Sequence, residues 1–334
     1  INQYLNYPED SAGSLMTCEY VYLKKTLTVR EAFTVIRNTG IDKETVYTCY
    51  VTSPERKLEG VVSVLELLLA DPDKRIGDIM TTSPICVHTM DDKEDVAKMF
   101  SHYDLIALPV VDKEERLVGI ITVDDAVDVL QEENTEDFEL MAGMSPSEGT
   151  YLKTSVWSLA KNRILWLMIL MVSAMITGSL LESYEAAISA IPLLVTFIPM
   201  LMDTGGNSGA QATTMIIRGL ALDEIELKDV FRVWWKEVRV AATVGVALSA
   251  VNFLRIVIQY HSDPNCVRIA LTVSLTLIAT VFIAKSLGCL LPMLSKKLHL
   301  DPAVVAAPML TTITDACSIL VFFNIAIGLL GQLM

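Results

Sequence analysis

Apolar and polar positions are arranged in two different ways along this 334-residue chain. In the second half they form long uninterrupted apolar segments. Residues 164–181 (ILWLMILMVSAMITGSLL) are 18 apolar or small residues without a charge, the length of a spanning helix. Asp203 is the only ionisable residue from 186 to 217, and there is none from 240 to 254, with Arg255 close behind. Lys285 stands alone in 269–294, and Asp315 alone in 302–334. These segments predict five membrane helices, at about 163–181, 186–217, 238–260, 267–294 and 302–332. A soluble protein with five such helices would expose far too much apolar surface.

The first half alternates short apolar runs with charged turns, and it does so twice. Leu15-Met16-Thr17 returns as Ile79-Met80-Thr81, and TCYVTSPERKLEGVVSVLELL (48–68) parallels ALPVVDKEERLVGIITVDDAV (107–127). Each copy predicts strand, charged hairpin turn, strand, helix, with turns at residues 54–57 and 112–115. Gly60 and Gly119 hold equivalent places, followed by Ser63 and Glu66 in one copy and Thr122 and Asp125 in the other. From the residues alone these Ser and Thr positions are strand-to-helix caps. The repeat resembles a pair of CBS domains. In that family the hydroxyl and the acid often hold a nucleotide, so the resemblance implies ATP or a relative at Ser63, Glu66, Thr122 and Asp125.

Composition sharpens the division. The chain is 52% hydrophobic, with mean hydropathy +0.46, yet its net charge is −14. Residues 1–161 hold 29 acidic and 15 basic residues, whereas 162–334 hold 11 of each, so the whole excess lies in the first half. Such a surface argues against nucleic acid as a partner, because phosphate binding needs basic side chains. The six cysteines (18, 49, 86, 266, 289, 317) show no C-x-x-C or other ligand spacing and are expected to be buried or free thiols in a reducing compartment. Basic residues gather at 161, 163, 218, 228, 232, 236, 239, 296 and 297, which predicts a cytoplasmic N-terminal module and an extracytoplasmic C-terminus in a plasma (inner) membrane. The chain opens at Ile1 without Met, and a missing natural N-terminus is expected.

The charge is densest at the junction. Between 124 and 139 there are eight acids and no base, and Asp125, Asp128, Glu132, Glu136 and Glu139 step by three or four along one helical face. At ~5 Å and an effective dielectric of about 20, each unscreened pair repels by roughly 3 kcal/mol. A divalent cation between them turns that repulsion into attraction. An apolar face of Val127, Leu130, Phe138, Leu140 and Met141 is expected to hold the helix down.

Carboxylates within membrane helices mark function by default, because burying a charge there costs several kcal/mol. Asp203 lies in IPMLMDTGGNSGAQATTMIIRG, where Pro199, Gly205, Gly206 and Gly209 are expected to interrupt or loosen the helix. Asp315 lies in DPAVVAAPMLTTITDACSIL, with Pro308 and the hydroxyls of Thr311, Thr312 and Thr314 nearby. Carboxylates, carbonyls and hydroxyls are hard oxygen ligands suited to Mg²⁺ or Ca²⁺.

Taken together, the CBS-like pair, the acidic connector, PMLMDTGGNSGAQATTMIIRG and DPAVVAAPMLTTITD resemble the MgtE family of magnesium channels over essentially the whole chain. The resemblance implies a multidomain fold: an α/β CBS-domain pair (1–75 and 76–130), an acidic connecting or plug helix (131–160) and an all-α five-helix transmembrane domain (161–334). It implies a homodimer, joined through both the CBS and the membrane domains, with one Mg²⁺ pore between the two copies. Asp315 would be central to the pore, with Asn207, Asp203 and Thr311 beside it. Asp92, Glu94, Asp104, Asp125, Asp128, Glu133, Glu136 and Asp137 would be the cytosolic Mg²⁺ sensor that closes the pore when Mg²⁺ is high. Family members usually carry a helical N-terminal domain ahead of the CBS pair, whereas the residues read here start about where the pair starts. The residues also admit a secondary transporter coupling Mg²⁺ to Na⁺ or H⁺. An anion channel fits the lone pore acids poorly, and an intramembrane protease lacks its H-E-x-x-H, so no enzyme is expected.

Overall fold

The computed structural model describes residues 7–146 and 149–331, and their side chains except at 305–308. The chain divides into two compact units, 1–135 and 136–334. The far end of the fifth expected span (332) and the Pro308 side chain lie outside the described residues.

The first unit is built from the repeat. Its first copy runs α1 (Ala12–Leu15), β1 (Tyr22–Leu23), α2 (Val29–Thr39), β2 (Thr48–Thr52), β3 (Leu58–Ser63) and α3 (Val64–Leu69). Its second runs α4 (Ile76–Ile79), β4 (Thr81–Thr82), β5 (Val87–His88), α5 (Lys93–Tyr103), β6 (Ala107–Val111), β7 (Leu117–Thr122) and the start of α6 (Val123–Met141). In each copy a short strand joins the hairpin in parallel: β1 on β2, and β5 on β6. The antiparallel hairpins β2–β3 and β6–β7 carry a register irregularity at the same place, Val51/Thr52 and Val110/Val111. Both charged turns close through a left-handed residue, Arg56 (φ 66°) and Glu115 (φ 62°).

The copies interlock by exchange. Thr17 pairs with Ile120 of β7 through N–H···O bonds of 2.7 and 2.9 Å, and β4 pairs with β3. The two hairpin tips also meet, with Leu58 N donating to Glu115 O and Leu117 N to Arg56 O. The repeated glycines follow from this exchange. A Cβ on Gly60 would stand 2.7 Å from the Thr81 carbonyl oxygen and 3.0 Å from Met80 Sδ. One on Gly119 would stand 2.7 Å from Met16 Sδ. Each glycine therefore makes room for the Met-Thr segment of the other copy. Tyr50 is fully buried where the copies join, among Tyr20, Ala107, Leu117 and Ile120.

The second unit is helical: α7 (Val156–Glu182), α8 (Glu185–Ala190), α9 (Ile198–Ala221), α10 (Val230–Gln259), α11 (Cys266–Lys297) and α12 (Pro302–Leu330). Four described stretches are long and apolar enough to cross a membrane by length and composition: Val156–Glu182, Leu227–Gln259, Cys266–Lys297 and Met309–Leu330. α9, of 24 residues, is too polar on one face to join them. Helix contacts are close: Ser249 Oγ donates to Ser274 O (2.8 Å) and Ser274 Oγ to Ser249 O (3.3 Å), and Tyr184 stacks on Phe323 at 4.6 Å.

Three details differ from the sequence pattern. The acidic helix starts at Val123, inside the second repeat, and ends at Met141. It stops there because Gly143 is left-handed (φ 69°), with Gly143 N bonding Leu140 O and Met144 N bonding Glu139 O, a Schellman closure. Its buried face is Ala126, Val129 and Leu140, while Val127 and Phe138 are exposed. The apolar stretch 186–217 is not one helix: it breaks at Ile191, ahead of Pro192, which pushes its predecessor out of helical backbone. By contrast α9 runs unbroken through Gly205, Gly206 and Gly209. Pro199 does not interrupt it because it lies in the first turn, where no N–H is needed.

The exchange predicts a cost at both equivalent glycines. Gly60→Ala and Gly119→Ala should each destabilise the first unit by about 1–3 kcal/mol, because neither the Thr81 carbonyl nor the Cβ of Met16, 2.9 Å from a Cβ at Gly119, can turn aside. Thermal unfolding of the two variants checks this; an unchanged melting temperature in either would contradict it.

Candidate ion pathway and acidic sensor

The glycines of α9 are spent on contact. A Cβ on Gly209 would lie 2.8 Å from Leu310 Cδ2 of α12 and 3.2 Å from the Ala284 carbonyl of α11. One on Gly288 of α11 would lie 2.5 Å from the Gly209 carbonyl, and Thr213 Oγ1 donates to Gly288 O at 3.0 Å. Gly205 is flanked by Thr280 of α11 and by Thr314 and Ser318 of α12. Small residues let helix backbones approach in this way, as in membrane bundles.

With that face committed, the opposite face of α9 is polar. Asp203, Asn207, Gln211, Thr214 and Arg218 are all exposed in the single chain. At 100° per residue they fall within about 80° of one another. A polar stripe on a helix among apolar ones belongs against water or another polar surface. The stripe adjoins α12: a Cβ on Gly206 would lie 3.5 Å from Thr311 Cγ2, and Asp315 follows Thr311 by one turn, half-buried. The hydroxyls of Thr280 and Thr314 are buried and have no hydrogen-bond partner among the described residues. The expected residues Asp203, Asn207, Thr311 and Asp315 thus sit on two contacting helices. Gln211, Thr214 and Arg218 extend the stripe and were missed, although their spacing from Asn207 would have revealed them.

The acids of the first unit are distributed differently. Asp92 caps α5 by accepting from Glu94 N (2.8 Å), and Asp104 ends α5 in a left-handed conformation. Glu94 pairs with Lys98 at 2.8 Å. Along α6, Asp128 and Glu136 are exposed, and Asp125, Glu133 and Asp137 are partly so. Lys93 stands between Asp10 (3.0 Å) and Glu133 (3.6 Å). The hydrogen bond that Lys93 donates to Asp10 raises the Lys93 pKa; burial opposes this, and Glu133 and Glu132 add to the rise. Among the described residues no three His, Cys, Asp or Glu side chains are close enough to hold a metal ion together.

The four residues expected to meet a nucleotide serve their own helices. Ser63 Oγ accepts from Glu66 N (3.1 Å) while Glu66 Oε2 accepts from Ser63 N (2.7 Å), a complete capping box. Thr122 Oγ1 donates to Asp125 Oδ2 at 2.8 Å in the second copy.

A paired α/β module ending in an acidic helix, joined to apolar helices of which two in contact carry carboxylates, an amide and hydroxyls, is the build of a cation-transporting membrane protein. Family comparison agrees. Residues 198–325 match the MgtE divalent cation transporter model, and 12–73 and 76–132 match the CBS domain. The chain is 39% identical to the magnesium transporter MgtE of Thermus thermophilus, over 96% of this chain and 70% of that one. It is 34% identical to the magnesium transporter MgtE of Enterococcus faecalis, over 98% of this chain and 70% of that one. A solved cytosolic domain of the Mg²⁺ channel MgtE in complex with ATP is 44% identical, covering 38% of this chain and 52% of that one, with a TM-score of 0.38. The chain belongs to the MgtE family of divalent cation transporters, whose relatives are named for magnesium transport and not for catalysis.

The stripe carries a prediction of its own. Gln211→Leu should lower Mg²⁺ uptake several-fold in reconstituted vesicles without lowering the melting temperature, because Gln211 is exposed and its loss breaks only the polar track. Uptake equal to the unmutated chain would remove Gln211 from the pathway.

Proposed function

We propose that the chain is a Mg²⁺-selective channel for magnesium uptake, closed by Mg²⁺ on its cytosolic side. The observation that carries this reading is the Asp203–Asn207–Gln211–Thr214–Arg218 stripe. It is exposed in one chain and adjoins the helix of Asp315 and Thr311. Two copies placing their stripes face to face would enclose a polar path with two Asp315 carboxylates. Mg²⁺ gives up its water reluctantly and binds through one or two carboxylates. It would therefore pass largely hydrated, held at Asp315 and steadied by Asn207, Asp203 and Thr311.

The same preference for retained water suits the sensor. Asp92, Glu94, Asp104, Asp125, Asp128, Glu133, Glu136 and Asp137 offer carboxylates singly or in pairs, which is how Mg²⁺ is commonly bound. When cytosolic Mg²⁺ is high, ions on α5 and α6 offset the repulsion among these acids and favour the closed state. When it falls, the repulsion returns and the pore opens. In this reading the first unit is cytoplasmic, the C-terminus lies outside, and the domains divide at 75, 130 and 160. A nucleotide such as ATP at Ser63, Glu66, Thr122 and Asp125 would need to share or displace the capping hydrogen bonds.

Mg²⁺ flux into liposomes tests the pore. Asp315→Ala should abolish most of the flux, and equal fluxes would remove Asp315 from it. Single-channel current steps separate a channel from a Na⁺- or H⁺-coupled transporter. For the sensor, neutralising Asp128, Glu136 and Asp137 together should keep the pore active at cytosolic Mg²⁺ that closes the unmutated chain; unchanged inhibition would count against the gating scheme.

A further inference from the structure

Between α9 and α10, which both pack on α11, lies a cavity of about 510 Å³. Its apolar wall comes from Ile216 of α9, Ile225 of the connection and Val233 of α10. Glu237 of α10 also borders it, but Lys285 of α11 neutralises that carboxylate. Lys285 Nζ is 3.7 Å from Glu237 Oε2, and the two side chains are only 5% and 16% exposed. Four charges remain around the cavity: Glu224 and Asp229 on the α9–α10 connection, and Arg232 and Lys236 on α10. The two bases are four residues apart and so share one face of the helix. Among the described residues no ion pair joins either base to either acid; the pairs made by this connection are Lys228–Glu226 and Lys296–Asp223.

The cavity lies at the level of lipid headgroups. The membrane-length stretch Leu227–Gln259 has 33 residues, about 50 Å of helix, against a hydrocarbon core of about 30 Å. Its uncharged part is 240–254, so the turns that carry Arg232 and Lys236 project beyond the apolar core. Trp234 and Trp235 sit on those same turns, and tryptophan is enriched where hydrocarbon meets headgroups. Lys296 of α11 donates to the Leu220 carbonyl at the end of α9 (3.1 Å), so this is the end of the unit at which the basic residues gather. Met215, which lines the cavity from α9, is exposed and offers apolar surface to an acyl chain.

We propose that this cavity is a binding site for the headgroup of a phosphatidylethanolamine lipid. The phosphate lies between Arg232 and Lys236, and the primary ammonium against Glu224 and Asp229, so that charge-assisted hydrogen bonds satisfy both ends. With Glu237 neutralised by Lys285, the remaining charges of the cavity sum to zero, as do those of the headgroup. The volume falls within the usual range for small-ligand sites, about 300–1,000 Å³. Competing headgroups fit less well. The quaternary ammonium of phosphatidylcholine has no N–H to donate, and phosphatidylglycerol brings no cation to the two carboxylates. The site goes beyond ion transport and holds whether the helical unit works as a channel or a carrier.

Lipid titration of the detergent-solubilised chain tests the site, because a ligand of the folded state raises its melting temperature. Dihexanoyl phosphatidylethanolamine, phosphatidylcholine and phosphatidylglycerol are added separately, with inorganic phosphate plus ethanolamine as the soluble control. Phosphatidylethanolamine should raise the melting temperature saturably, with half its effect at about one tenth of the concentration the other two lipids need. Phosphate plus ethanolamine should give no rise at that concentration. In E224Q/D229N the preference should vanish and phosphatidylglycerol should act at least as strongly as phosphatidylethanolamine, since only the bases remain. R232Q/K236Q should weaken the effect of all three lipids. Equal half-effects for the three lipids on the unmutated chain overturn the proposal, and that comparison needs no variant to fold. So does a preference that survives unchanged in folded E224Q/D229N. A saturable rise with phosphate plus ethanolamine at the lipid's own concentration overturns it too, because the occupant is then a soluble anion.

Discussion

Backbone contact between α9 and α11 is the constraint from which the membrane unit follows. Gly209 and Gly288 have no side chains at the point where a carbonyl oxygen of one helix faces the α-carbon of the other, and any Cβ there would collide. Thr213 locks the contact with a hydrogen bond to the Gly288 carbonyl. Because small residues occupy this face, the remaining face of α9 is free to be polar. Its stripe then lies beside Thr311 and Asp315 of α12. The polar stripe is thus a consequence of which side of α9 is packed.

In the first unit the corresponding constraint is exchange. Each copy lends its Met-Thr segment to the last strand of the other copy, and Gly60 and Gly119 admit it. The module therefore cannot be separated into two self-sufficient halves. The start of α6 is tied to this core by Ala126 and Val129, both buried, so the acids of α6 begin on a fixed platform. Lys93, held by Asp10 and Glu133, already supplies one positive charge to that surface. The acidic face is accordingly less repulsive than its carboxylate count suggests.

Much of the architecture was legible in the amino-acid pattern. Tandem copies show as repeated Gly, Ser/Thr and acid positions, and apolar segments show by length, because both signals are local. The Ser63–Glu66 cap is likewise local and was readable as a helix start. Reading failed where a residue's meaning depends on what it touches. Gly205, Gly206 and Gly209 suggested a broken helix, and the structure shows helix contact. Val127 and Phe138 were placed on the packed face of α6, whose hydrophobic spacing is too irregular to define one rotation.

The sequence by itself determined that an acidic α/β repeat precedes an apolar helical unit, and that Asp203 and Asp315 are isolated among apolar residues. Hydrophobicity and charge are properties of each segment, so these conclusions needed no fold. Tertiary structure alone decided that the glycine face of α9 is packed while the face of Asp203 and Asn207 is left free, and that Lys285 meets Glu237. Both depend on which helix faces are buried against one another, a relation between residues far apart in the chain.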